Sequence, residues 1–179
     1  MINPHGIVPN LHQKKRTRAM FDDDDDRIDH RSHPMYIKGM EIFDLVHALI
    51  QLLPEEEDHM LYHYRGMMME DAMVLNAKFA GAVNVGLYDL KMENAAIMRK
   101  AARDLLTATS GLRAFGFQDT QYLPLLRTAI EEYRLLFVDW VDTFDPWNYI
   151  IDRWGLFNPP GVTAHDHDPD DDLPFDEEE

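Results

Sequence analysis

Asp44 with His47 and Glu56 with His59 are the residues best spaced for chemistry in this chain. A carboxylate and an imidazole three residues apart share one face of a helix. That is the Glu-x-x-His spacing by which helices hold paired iron or manganese ions. His63 lies four residues beyond His59 and would share its face. A di-metal carboxylate site needs a contribution from four helices, and the later part of the chain does not complete the set. Glu93 stands at the start of the third predicted helix, and Asp104 has no histidine partner there. The spacing therefore weighs against a di-metal enzyme and keeps it only as an alternative. His165 and His167 form an HDHD run in an acidic tail, where solvation explains them better than a metal ion.

Other chemistries have less support. Ser32 and Ser110 are the only serines, and neither sits in a motif that would activate it. The chain has no cysteine, which excludes thiol nucleophiles, Cys-ligated zinc and disulfides. No Gly-rich phosphate loop follows a strand pattern. The expectation is no enzyme, no cofactor and no metal.

Basic residues carry more information. Lys91, Arg99, Lys100, Arg103 and Arg113 lie along one predicted helix, and Lys14, Lys15, Arg16 and Arg18 form a cluster near the N-terminus. Such strips either pair with nearby acids or contact phosphates. Trp140, Trp147 and Trp154 recur every seven residues. That spacing reads first as a core or a seam between helices. The other reading makes Trp147, Ile151 and Trp154 anchors for a partner protein.

The elements that would position these residues are helical. Met40, Phe43, Val46, Ile50 and Leu53 form one stripe of a helix over 36–53. Pro54 and the acids Glu55 to Asp58 then suit the first turn of a second helix reaching about Ala80. Its stripe is Met60, Tyr64, Met68, Asp71 or Ala72, Leu75 and Phe79. A third helix runs from about Asp89 to Arg113 on Ala95, Met98, Ala101, Leu105, Ala108 and Leu112, with Gly116 as its left-handed cap. A fourth starts near Asp119 or Thr120 and carries Leu126, Ile130, Tyr133, Phe137, Trp140 and Phe144. Asp145, Pro146 and Gly155 delimit a short fifth helix. The prediction is an all-α, antiparallel up-down-up-down four-helix bundle with a short fifth C-terminal helix and disordered charged tails.

Charge is uneven across the 179 residues. The net charge is −16, and residues 161–179 hold nine acids and no Lys or Arg. Residues 1–34 read as a flexible charged arm, 35–158 as the helical domain and 159–179 as an acidic disordered tail. No apolar run is long enough for a membrane span, and the N-terminus lacks the apolar core of a signal peptide. The expected location is cytoplasmic.

The segments IFDLVHALIQLLPEEE and MRKAARDLLTATSGLRAFGFQDTQYLPLLRTAIEEYRLLFVDWV carry a resemblance. Over residues 38–144, about 60 % of the chain, the layout resembles a bacterial four-helix-bundle family. That family includes the accessory variability determinant proteins of diversity-generating retroelements and the proteins encoded by ribosomal RNA intervening sequences. Tyr122 stands where the family has a Tyr early in its fourth helix, and Trp140 resembles its C-terminal aromatic residue. The resemblance implies a non-enzymatic homo-oligomer, often a pentamer. For the retroelement members it implies binding to a reverse transcriptase and its RNA. Those members are usually basic, whereas residues 36–160 here hold 18 acids and 11 bases. A protein–protein adaptor without nucleic-acid binding is the alternative.

Overall fold

The computed structural model describes residues 27–167. Four helices account for most of them: α1 (Pro34–Ile50), α2 (His63–Ala82), α3 (Tyr88–Ala114) and α4 (Leu123–Val141). Short 3-10 turns at His30–Ser32, Met60–Tyr62 and Thr120–Tyr122 lead into α1, α2 and α4. No strand occurs among the described residues. No helix there is long and apolar enough to cross a membrane.

One apolar core serves all four helices. Ile42 and Val46 of α1, Leu75 and Phe79 of α2, Met98 and Leu105 of α3, and Leu126 and Ile130 of α4 are buried in it. Each helix packs on the one before and the one after, and α4 also packs on α1. His33, just before α1, lies 4.8 Å from the Phe79 ring near the end of α2. Phe79 lies 5.3 Å from Trp140 near the end of α4. Lys38 of α1 bridges to Glu132 of α4 at 2.6 Å.

The helix starts differ from the sequence expectation. Histidines begin both α1 and the turn into α2. His33 Nδ1 accepts the Met35 N–H, and His59 Nδ1 accepts the Leu61 N–H, each at 3.1 Å. α2 begins at His63, not at Pro54. Glu55 to Asp58 are exposed in the connection, where they place nothing apolar in the core. A helix is held mostly by its buried face, and burial resumes only at Leu61. The α1 stripe is also shifted: Met35, Gly39, Ile42 and Leu49 face inward with Val46, while Met40 is exposed and Phe43 half-buried. Met60 of the predicted second stripe is likewise exposed.

The end of α3 matches expectation. Gly116 has φ 83°. The Phe117 N–H donates to the Leu112 carbonyl at 2.9 Å and the Gly116 N–H to that of Arg113 at 3.4 Å. These paired bonds satisfy carbonyls that a helix end leaves open. Asp119 does not cap α4; its carboxylate accepts from the Gln121 side chain at 3.2 Å.

The expected fifth helix is absent. Residues 145–158 form linked turns, because several of their N–H groups go to side chains and those of Asn148 and Gly155 reach carbonyls only three residues back. The Ile150 N–H donates to Asp89 Oδ1 at 3.1 Å. The Trp154, Leu156 and Phe157 N–H groups all donate to the Asp152 carboxylate at 2.8–2.9 Å. Without that helix, spacing by seven does not put the tryptophans on one face. Trp140 is buried against Phe79 and Phe144, whereas Trp147 and Trp154 stand outside.

The described parts of the expected tails are tied down. Ile28 exchanges two hydrogen bonds with the Asn84 side chain, at 2.9 and 3.0 Å. Arg153 Nη1 donates to the carbonyls of Ala164 and Asp166 at 3.0 and 2.8 Å. The basic cluster Lys14, Lys15, Arg16 and Arg18, the Asp22–Asp26 run and the tail beyond His167 lie outside the described residues.

Candidate functional site

Two tryptophans are set on a segment that its own hydrogen bonds define. Asp145 Oδ1 accepts the Trp147 N–H at 3.0 Å, and Asp152 Oδ1 accepts the Trp154 N–H at 2.8 Å. The two Asp-x-Trp turns repeat seven residues apart. Trp147 is 82 % exposed and Trp154 90 % exposed. Between them Ile151 is buried. The Asn148 carbonyl accepts the Tyr88 N–H at 2.7 Å, and the Asn148 side chain donates to the Gly86 carbonyl at 2.9 Å. The segment is therefore fastened to the start of α3. Backbone N–H groups hold the Asp152 carboxyl below the usual carboxylate range, with Phe157 the largest contributor and Trp154 and Leu156 behind it.

The basic residues of α3 do not form one strip. Lys91 is half-buried, and its ammonium lies 5.2 Å from the centre of the Phe144 ring. Burial pushes its pKa down. Lys100 is paired with Asp104 at 2.5 Å, a bond that raises its pKa. Arg99 and Arg103 are exposed. Arg113 stands about 33 Å along the helix from Lys91, from the rise of 1.5 Å per residue. There it joins Arg127 of α4, Thr109 and Ser110 around a pocket of about 180 Å³. Sequence reasoning missed Arg127 and Thr109. They are 18 residues apart on different helices, so only the pairing of α3 with α4 reveals them.

A second, wider groove of about 550 Å³ runs between α2 and α3, lined by Tyr64, Met67, Asp71, Asp104 and Thr107 among others. Loss of solvent, and then the Asp104 charge, push the Asp71 pKa from 3.8 to about 6. The ionised form is thus disfavoured in the fold, so stability declines as pH rises from about 4 through 6. Two pKa units correspond to about 3 kcal/mol, and solvent screening at this partly exposed group reduces that to about 1 kcal/mol. Asp71→Asn is expected to raise stability by about that amount at pH 7 and to flatten the slope between pH 4 and 7. Urea titrations across that range measure both.

The carboxylate–histidine pairs do not converge. Asp44 and His47 are exposed on α1, Glu56 lies in a connection, and His59 Nδ1 is engaged by the Leu61 N–H. Among the described residues no three His, Asp or Glu side chains come together in a metal-binding group. In the HDHD run the Asp166 carboxylate accepts from both the backbone and the hydroxyl of Thr163, at 2.8 and 2.9 Å. A comparison with known proteins finds no family model, no curated protein and no solved structure that matches this chain.

Proposed function

We propose that this protein is a non-enzymatic accessory scaffold that docks a basic protein surface through Trp147 and Trp154. The observation that carries the reading is their exposure, 82 % and 90 %, on turns held by hydrogen bonds. Apolar residues carried on backbone fixed before binding lose less freedom on docking, and Trp is enriched among the anchors of interfaces. Charge selects the partner. Residues 139–167 contain five aspartates and a single Arg or Lys, Arg153. A lysine- or arginine-rich surface satisfies those carboxylates and stacks its cations on the indole rings. Proteins that handle nucleic acid carry such surfaces, so a reverse transcriptase or similar enzyme is the partner class that the resemblance and the charge both favour.

The same reading takes the helices as an antiparallel up-down-up-down bundle that associates with copies of itself. Support for the antiparallel order comes from Phe79, which touches His33 before α1 and Trp140 late in α4. Self-association follows from the resemblance, and a mass in solution at a multiple of 20.9 kDa is the expected result.

An arginine-rich peptide titrated into the protein is expected to change tryptophan emission and to bind more weakly as salt rises. The W147A/W154A double variant should bind that peptide about 100-fold more weakly with its thermal midpoint unchanged. Equal binding by the variant and the parent overturns the docking surface. Melting of the variant would instead make both residues structural, with the same consequence.

A further inference from the structure

We infer that the pocket between the end of α3 and the start of α4 binds a terminal phosphate group, a phosphomonoester or inorganic phosphate dianion. Four residues line it: Thr109, Ser110, Arg113 and Arg127. No carboxylate is among them, in a chain whose net charge is −16. Neither guanidinium forms an ion pair among the described residues. Two cations facing one small pocket repel unless an anion lies between them.

The donors are set in advance. Arg127 Nη1 donates to the Thr109 hydroxyl at 2.7 Å and to the Leu106 carbonyl at 3.2 Å. Thr109 is buried, and its hydroxyl donates in turn to the Leu106 carbonyl at 2.7 Å. These bonds fix the Arg127 side chain through one nitrogen and leave its remaining N–H groups for a ligand. Arg113 has no side-chain partner among the described residues. The Ser110 hydroxyl makes only a 3.5 Å bond to the Leu106 carbonyl. Two planar guanidinium groups and a hydroxyl match the three terminal oxygens of a phosphate, where bidentate arginine contacts are strongest. The volume of about 180 Å³ admits a phosphate and a few attached atoms. Two positive groups favour a dianion over the monoanionic diester inside a nucleic-acid strand.

Calorimetric titration of the full chain with inorganic phosphate and with ribose 5-phosphate tests this and separates the two sources. Tighter binding of the sugar phosphate points to an ester ligand, and equal binding to the free ion; either supports the site. Arg113→Gln is expected to weaken both by at least 10-fold, with no change in thermal midpoint. Arg99→Gln, which removes an exposed charge away from the pocket, should leave binding within twofold. Because the second ionisation of a phosphomonoester lies near pH 6, affinity for ribose 5-phosphate should rise between pH 5.5 and 7.5, while sulfate binding should not. Unchanged binding in Arg113→Gln overturns the assignment. An equal loss in Arg99→Gln would reduce it to a general field effect and overturn it too.

Discussion

Phe79→Ala should lower the stability of the folded chain by about 3–5 kcal/mol, the cost of deleting a large ring from a packed interior. Phe79 is completely buried and belongs to the end of α2. Its ring meets the His33 ring at 4.8 Å and Trp140 at 5.3 Å, and Trp140 in turn meets Phe144 at 4.7 Å. One side chain thus joins the residue that caps α1, the end of α2 and the end of α4. The void left by alanine could not close without moving three segments. Phe79→Leu keeps most of the volume and should cost less than half as much. Urea unfolding followed by circular dichroism gives both numbers. A cost below about 1 kcal/mol for Phe79→Ala would mean that the three segments do not meet there.

Gly39→Ala is the second large effect, at about 1–3 kcal/mol of destabilisation. On an ordinary exposed helix the change would be worth about 1 kcal/mol in the other direction. Here a methyl group would run into the Asn76 side-chain amide of α2. The Asn76 amide, whose oxygen is buried without a hydrogen-bond partner, would have to shift to admit the methyl group. Asn76→Ala should remove the conflict, so the double variant should recover much of the loss. That non-additivity is the signature of direct contact. If Gly39→Ala stabilises the chain, α1 and α2 are further apart than the structure has them.

The long helices were legible because their apolar residues repeat with a helical period. All six positions of the predicted α3 stripe are buried, and Gly116 ends the helix as expected. The connections were harder. Glu55 to Asp58 satisfy a local rule about helix dipoles, yet the 3-10 turn that leads into α2 forms only where Leu61 again supplies something to bury. Asp152 carries a helix-like pattern away from helix by taking three backbone N–H groups onto one carboxylate. Competition of that kind depends on which oxygen comes nearest, which periodicity does not encode. For the same reason Trp147 and Trp154 looked first like interior residues. Arg113 was visible as a charge, but its pairing with Arg127 needed two helices to be laid side by side.

The 27 residues of α3 have one more consequence. At 1.5 Å per residue the helix measures about 40 Å from end to end. The tryptophan turns are fastened at its first residues and the arginine pocket opens beside its last turn. Asp89, Asp145 and Asp152 lie by the first extremity, and Arg113 and Arg127, which form no ion pair among the described residues, lie by the other. On the reading proposed above, the protein is a spacer whose tryptophan turns and arginine pocket are two separate poles, with α3 setting the distance between them. Anything held at one pole is kept clear of whatever occupies the other. Copies laid tip to tail would bring unlike poles together, whereas copies laid tip to tip would not.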